Sequence, residues 1–186
     1  QPSLWLADDQ MFRLTNKRSY FVQLLSDEPY IKTYHWDKKL VKYKKYYSDD
    51  IFRIRLSKIK NFNYQNEFDC VSKPDSYPIF TRKWLEVSLG MGDSWASDAY
   101  HQLISFYLSM GPMNYRNFFK HGSLNRDIIS EDIKYGGLNW GENLSSEMRE
   151  YMTNYINNEW SRLCSYKNLN NIAYKATRLY LFILAK

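Results

Sequence analysis

The chain has 186 residues, of which 44% are hydrophobic and 18% are aromatic. Because disordered chains are poor in such side chains, this composition excludes a mainly disordered protein and predicts one domain with a core of its own. The longest uninterrupted apolar run, Leu179–Ala185, is far shorter than the roughly 20 residues of a membrane-spanning helix, so no transmembrane segment is predicted.

Two helices are predicted near the N-terminus. The first covers Arg18–Leu25 and ends near Pro29. The second covers 36–47, where aromatic and aliphatic residues recur at helical spacing and lysines follow the same period on another side. This second pattern is typical of an amphipathic helix with one buried and one basic side.

The positive charge is concentrated in residues 38–60. This segment has nine Lys or Arg against two Asp, a net +7, so the rest of the chain sums to −1 of the total +6. Such a segment can bind phosphate backbones, an anionic surface or an acidic protein, or it can be the solvated side of a helix. The candidate binding residues are Lys38, Lys42, Lys45, Arg53, Arg55 and Lys58.

The residues that follow the basic helix allow two local structures. Ser48 and the two acids after it give a helix-start signal, and Phe52, Leu56 and Ile59 continue a helical stripe. Apolar and polar residues also alternate over 51–57, which is typical of a short strand. We therefore expect a helix, with one short β element near 51–57 as the alternative.

A polar segment divides the chain. Residues 61–78 contain two prolines and few apolar side chains, which indicates a linker or a long loop that separates two parts or hides a short element. The expected organisation is a basic helical part at 1–60, this segment at 61–78, and a helical bundle core at 79–186.

In the C-terminal part, proline and glycine residues mark the ends of several predicted helices. A helix is expected after Pro78 and is closed by Gly90, and a short aromatic helix is expected over 113–121. Leu144–Tyr166 has apolar residues at i, i+4 and i+8, and a turn at 168–171 leads into a final helix. Because the last turns of that final helix are apolar nearly all round, it should be central. The expected fold is mostly α, a single-domain bundle of about six to eight helices.

The string GMGDSWASDAYH, residues 90–101, contains the residue types of a serine hydrolase of the GDSL kind. That family has its Gly-Asp-Ser block and its Asp-x-x-His block at opposite ends of the chain, whereas here Ser94, Asp98 and His101 lie within two helical turns. The string therefore predicts a helix start: Gly90 and Gly92 form the turn, Asp93 or Ser94 caps, and an apolar stripe follows to residue 110.

Another resemblance comes from two short motifs. Trp84, Met91, Gly92, Asp93 and Trp95 resemble the small-residue-plus-Asp helix motif of Bcl-2 proteins, and Gly137-Leu-Asn-Trp-Gly141 is similar to their Asn-Trp-Gly motif. The resemblance implies a helical bundle that binds other proteins.

The sequence indicates no complete catalytic site, and enzyme activity stays open. His35 lies beside the basic segment and is the one catalytic candidate, as a general acid or base of a ribonuclease. No metal site or cofactor is predicted, because neither the carboxylates nor the two cysteines have ligand spacing. Cys70 and Cys164 could form one disulfide or remain two buried thiols.

The expected function is protein–protein interaction, of the kind shown by small inhibitors, immunity proteins or secretion-accessory proteins. The surplus of aromatic side chains and the missing catalytic constellation favour this class. The alternatives are a nucleic-acid binder or ribonuclease-like toxin that uses 38–60, and a Bcl-2-like bundle. The chain begins at Gln1 without Met, which favours an exported or periplasmic protein.

Overall fold

A computed structural model of the protein describes residues 4–23, 30–56, 64–73, 75, 77–92, 97–110, 124–136 and 144–186. Seven α-helices lie in these ranges: α1 (Leu4–Leu14), α2 (Trp36–Leu40), α3 (Glu67–Ser72), α4 (Arg82–Val87), α5 (Ser97–Met110), α6 (Ser146–Leu163) and α7 (Tyr166–Leu184). A 3-10 helix, Val41–Lys45, continues α2 directly. The strands of these ranges are β1 (Phe21–Gln23), β2 (Tyr30–Ile31), β3 (Arg53–Arg55), β4 (Ile79–Thr81), β5 (Asp127–Ile129) and β6 (Tyr135–Gly136).

Four of the strands form a mixed sheet in the order β1, β4, β3, β5. β4 is antiparallel to both of its neighbours, with Val22 opposite Phe80 and Ile54 opposite Ile79. β3 runs parallel to β5, with Ile54 opposite Ile128. β2 and β6 form a separate antiparallel pair. The larger sheet thus joins segments that are far apart in the sequence.

The two faces of the larger sheet belong to two hydrophobic cores, because successive residues of a strand point to opposite sides. Phe80 faces the helix-side core, which α3, α4, α5 and α7 complete with buried residues that include Cys70, Trp84, Leu85, Tyr100, Leu103, Tyr107, Ile172 and Leu179. Ile54 and Ile79 face the α2-side core, whose other buried residues are Leu40, Tyr43, Phe52, Leu56, Ile128 and Ile133. Every position of β3 and β4 is consequently buried.

The long helices agree with their sequence patterns. α5 begins after the Gly90–Gly92 turn and ends at Met110, as the stripe predicts. The final helix packs on the helix-side core through Ile172, Ala176 and Leu179, but its last turn, from which a central position was expected, leaves Leu181 and Leu184 exposed. The predicted turn at 168–171 is wrong, because α7 already begins at Tyr166.

The prediction of a mostly α helical bundle with at most one short β element is wrong. The structure mixes α-helices with a four-stranded and a two-stranded sheet. The helix predicted over Arg18–Leu25 is replaced in its middle by β1, and the helix expected after Pro78 begins only at Arg82, because β4 comes first. The strand alternative near 51–57 is confirmed as β3.

The predicted linker 61–78 contains one helix. α3 is capped by Asn66, whose side chain accepts a hydrogen bond from the Asp69 backbone N–H at 2.8 Å. The three-part division itself stays a prediction, as does the short helix at 113–121, which lies outside the described residues. In the part of the chain that the structure describes, no helix is long and apolar enough to cross a membrane.

Candidate functional site

The basic side of α2 and its 3-10 extension lies on the surface. Trp36, Leu40 and Tyr43 turn inward onto the α2-side core, and this packing exposes the opposite side of the same segment. Lys38, Lys42, Lys44 and Lys45 are all exposed there. We call these four side chains the lysine face. The predicted binding residues Lys38, Lys42 and Lys45 are therefore exposed on one continuous segment, and their role in binding stays a prediction.

One member of the lysine face is held by an acid from the β5–β6 connection. Lys42 Nζ donates a short hydrogen bond to Asp132, and the Tyr43 hydroxyl donates to the same carboxylate at 2.8 Å. The Lys42 hydrogen bond, followed by the one from Tyr43, lowers the pKa of Asp132 although burial opposes this shift. Lys42 is thus partly neutralised.

Arg53 and Arg55 do not belong to this exposed surface. Both lie on β3, where their side chains point to the helix side of the sheet, and their exposed fractions are 0% and 5%. Arg53 donates from Nε and Nη2 to the two oxygens of Asp127 at 2.8 and 2.6 Å. Arg55 forms two longer ion pairs: its Nε lies 3.9 Å from Asp75 Oδ2, and its Nη1 lies 3.8 Å from Asp127 Oδ2. Lys58 lies outside the described residues.

Asp127 is the centre of this buried charge cluster. Its Oδ1 also accepts a hydrogen bond from Ser105 Oγ at 2.7 Å. Burial alone would raise the pKa of Asp127, but the guanidinium of Arg53, then that of Arg55 and the Ser105 hydrogen bond, lower it below its ordinary value. The cluster is therefore a set of buried groups of opposite charge that lies inside the fold.

A pocket of about 330 Å³ lies beside the lysine face, between the edge strand β1 and α2. Its walls are largely apolar, with polar groups at a few points. The lining residues are Ser19, Tyr20, Phe21, Gln23, Trp36, Asp37, Leu40, Val41, Lys44 and Ile79. Pockets of this size and lining bind small ligands or single protein side chains.

The rim of the pocket carries both charge and hydrogen-bond acceptors. Lys44 Nζ lies 4.7 Å from the centroid of the Tyr20 ring, within the range of a cation–π contact. The Tyr20 hydroxyl donates a short hydrogen bond to Asp50, and its pKa is raised by burial and then by this acid. Gln23 Oε1 is buried and has no hydrogen-bond partner within the described part of the molecule.

The histidines are not placed for shared acid–base chemistry. His35, the catalytic candidate, is exposed at the start of α2 with a φ of 53°, and its ring lies against Tyr34. His101 is buried on α5, on the other side of the sheet, where Nδ1 accepts from the Trp84 indole at 3.1 Å. Burial, then Lys175 and Arg53, hold the pKa of His101 well below its ordinary value. His121 lies outside the described residues.

The described parts of the string 90–101 are a turn at 90–92 and the first residues of α5. Gly90 and Gly92 have φ values of 91° and 96°, so they form the predicted turn. Met91 N–H donates to Asp9 of α1 at 3.2 Å, which fixes the turn against that helix. The capping role of Asp93 or Ser94 lies outside the described residues. Since His101 serves as a buried acceptor, the structure gives no support to hydrolase chemistry here.

The described residues contain neither a group of metal ligands nor a disulfide. Among the described residues, no three His, Cys, Asp or Glu side chains are grouped so as to hold a metal ion. Cys70 and Cys164 are free, and burial raises the pKa of each thiol. Of the two alternatives for the cysteines, the structure therefore has the free thiols.

Comparisons with protein-family models, with curated proteins and with solved structures give no significant match. The bundle that the Bcl-2 resemblance implies differs from the mixed α/β fold observed. Asp93, Trp95 and the Gly137–Gly141 motif lie outside the described residues.

The pocket could not be found from the sequence. Four of its ten lining residues come from Ser19 to Gln23, which the pattern assigns to a helix, and Ile79 reaches it only through the pairing of β4 with β1. The sequence did contain a signal for the neighbouring lysine face. The helical period of 36–47 separates the side of this segment that is buried from the side that carries the exposed lysines.

Proposed function

We propose that the chain is a protein-binding module that engages an acidic protein partner through the lysine face and the adjoining pocket. The observation that carries this proposal is the position of an apolar pocket beside a row of exposed lysines on one short helix. Protein interfaces combine a buried apolar anchor with a charged rim that steers the partner. Inhibitor, immunity and secretion-accessory proteins are narrower forms of the same proposal.

Two features favour an acidic protein over a nucleic acid. The buried Arg53 and Arg55 remove two of the cations that a phosphate-binding stripe would use. Asp37 at the pocket and Asp132 beside Lys42 also interrupt the positive surface. Affinity for a nucleic-acid backbone depends on the number of phosphates that Lys and Arg neutralise, whereas a protein partner can match a surface of mixed charge.

A nucleic-acid role remains the second candidate, because aromatic rings stand among the lysines. Tyr34 is 82% exposed and Tyr46 is 57% exposed, and exposed rings between cations are a known platform for stacking bases. If the chain cleaves RNA, the change His35→Ala should abolish cleavage.

The test is a selection of peptides from a random display library on the immobilised full chain. Acidic peptides should be enriched, and their binding should weaken as salt rises. The double variant Lys38→Glu, Lys45→Glu should weaken binding by about tenfold or more, since two attractive contacts become repulsive. The matched control Lys167→Glu, Lys186→Glu makes the same change of net charge with exposed lysines elsewhere and should leave binding unaltered.

The proposal is overturned if the selected peptides carry no excess of acids, or if both double variants bind them equally. Single-stranded RNA and DNA of mixed sequence are measured in parallel. Nucleic-acid binding that is lost only in the Lys38→Glu, Lys45→Glu variant, without any enrichment of acidic peptides, would replace this proposal by the second candidate.

A further inference from the structure

We propose that the partner binds as an added β-strand on the outer edge of β1, and that it inserts one Tyr or Trp side chain into the pocket between β1 and α2. This inference rests on the proposed function and defines the chemistry of the partner: an extended acidic segment with a central aromatic residue.

β1 is an edge strand. It pairs with β4 on one side and with no other strand that the structure describes. An edge of this kind presents backbone donors and acceptors to which an extended peptide can add. The pocket adjoins the same strand, so the backbone and a side chain of one peptide can be bound together.

The register of β1 identifies its outward backbone groups. The Arg82 N–H donates to the Tyr20 carbonyl at 2.8 Å, and Phe21 lies opposite Thr81. In an antiparallel pair, alternate residues turn their N–H and C=O toward the partner. Tyr20 and Val22 therefore bond to β4, and the N–H and C=O groups of Phe21 and Gln23 point away from β4, to the side on which the described residues include no further strand.

The same alternation directs the anchor side chain. Phe21 and Gln23 line the pocket, whereas Val22 packs on the helix-side core. A residue of an added strand that stands opposite Phe21 or Gln23 projects its side chain to the same face of the sheet. Such a side chain would enter the space between β1 and α2.

The polar groups of the pocket select the kind of anchor. The Asp37 carboxylate is an acceptor beside a largely apolar wall, whereas Gln23 Oε1 is fully buried and is not exposed to the pocket. An aromatic ring with a donor, the Tyr hydroxyl or the Trp indole N–H, fills the apolar space and satisfies an acceptor. Phe would fill the same apolar space without donating such a hydrogen bond.

Charge complementarity gives the flanks of the segment. Lys44 stands at the rim of the pocket, and Lys17 and Arg18 are exposed just before β1. Acidic residues on both sides of the anchor would therefore meet positive charge along the strand, which favours association.

The test uses the full chain and the fluorescein-labelled peptide Glu-Asp-Val-Tyr-Val-Asp-Glu, with fluorescence anisotropy as the readout. Gln23→Pro removes an outward N–H without removing a bond to β4, a substitution that edge strands tolerate. Gln23→Ala is the matched control that retains the N–H. We expect Gln23→Pro to bind about tenfold more weakly than Gln23→Ala, which is the loss of one backbone hydrogen bond.

The pocket is tested separately. Val41 is 57% exposed at the pocket wall, so Val41→Trp should block the anchor without disturbing the fold, and Leu181→Trp is a control at a similarly exposed position on α7. Val41→Trp should reduce binding by about tenfold or more, as should the peptide with Ala in place of Tyr. Unchanged melting temperatures confirm that the variants are folded.

The inference is overturned if Gln23→Pro and Gln23→Ala bind the peptide equally, if Val41→Trp binds it as the native chain does, or if the native chain does not bind it. The lysine dependence of the library peptides is a separate readout. Library peptides that need the lysine face but ignore Gln23→Pro and Val41→Trp would leave the proposed function in place and remove strand addition alone.

Discussion

At the scale of single residues, the pair Arg53–Asp127 is the most consequential contact. Its two hydrogen bonds lie in the interior, with none of the Arg53 side chain and 13% of the Asp127 side chain exposed. Removal of one partner leaves the other charge buried without compensation. We expect Asp127→Asn to lower the free energy of unfolding by about 3–5 kcal/mol, measured by urea denaturation.

The control for this prediction is an ion pair on the surface. Arg13 contacts Asp9 at 2.8 Å, but 72% of the Arg13 side chain is exposed. Because water screens such a pair, Arg13→Ala should cost less than about 1 kcal/mol. Equal effects of the two variants would show that Asp127 is not held as an ionised, buried partner.

Asp98 gives a prediction about pH. Burial raises its pKa from 3.8 to about 6, against a lowering effect of the Ala99 N–H and with a further raising effect of Asp75. When folding raises the pKa of a carboxyl group, the group contributes most to stability at a pH below its pKa in the unfolded chain. This contribution is lost as the pH rises through the pKa of the folded chain. The stability of the native chain minus that of Asp98→Asn should therefore fall between about pH 4 and pH 7.

Urea unfolding at several pH values in this interval measures the difference, and the exposed Asp37→Asn is the control. A difference for Asp98→Asn that is flat or rises with pH would show that the Asp98 carboxyl is not disfavoured in its ionised form.

The placement of Arg53 and Arg55 shows what the sequence could not supply at this scale. Their alternation with Ile54 correctly indicates two faces of a strand. A period of two cannot tell whether the second face meets water or another layer, and here α5 and its neighbours cover it. Charged residues were therefore predicted on the surface although they lie inside.

At the scale of elements, two serines at helix starts form a matched pair. Ser145 Oγ accepts a hydrogen bond from the Met148 N–H at 3.2 Å at the start of α6, whereas Ser165 at the start of α7 makes no side-chain cap to any described residue. Ser145→Ala should destabilise by about 1 kcal/mol and Ser165→Ala by clearly less. Thermal unfolding followed by circular dichroism compares them, and a larger loss for Ser165→Ala would contradict the assigned cap.

The turn before α5 offers a second comparison. Gly92 has a φ of 96°, and a Cβ there would lie 2.6 Å from the Tyr100 ring, while Leu89 has a φ of 65° although it is not glycine. Gly92→Ala should cost about 1–3 kcal/mol, because it adds both backbone strain and a clash. Leu89→Gly should be neutral or stabilising, because it relieves a left-handed backbone. Chemical denaturation tests both, and a stable Gly92→Ala would refute the geometry of the turn.

The elements that the sequence predicts well are the long helices. The patterns of α5, α6 and α7 extend over several turns, so the helical period is sampled repeatedly. β1 and β4 have three residues each, which is too short for a period of two to differ from a fragment of helix. Their structure is decided by pairing with distant strands, and no local pattern contains that information.

At the scale of the whole molecule, the larger sheet connects the two parts of the chain, 1–60 and 79–186, that the polar segment 61–78 separates in the sequence. β1 and β3 come from residues before 61, while β4 and β5 come from residues after 78. Between them they bury the two cores on opposite faces. The polar composition of 61–78 indicates a boundary along the chain, but strand order is a property of three-dimensional pairing that composition does not encode.

This connection predicts that residues 79–186 do not fold alone. In that fragment β4 would lose both of its neighbours, β1 and β3, and the apolar face under α2 would lie open to water. Exposure of that much apolar surface, together with unpaired backbone on both sides of a strand, opposes folding. The full chain should unfold in one transition by tryptophan fluorescence and by circular dichroism, and the fragment should show no cooperative transition.

Two substitutions, one in each core, test the same prediction in the full chain. Ile54→Ala in the α2-side core and Leu103→Ala in the helix-side core should each shift the whole unfolding transition. If the fragment unfolds cooperatively, or if each change moves a separate transition, the two cores fold independently and the boundary at 61–78 divides the molecule in space as well as in sequence.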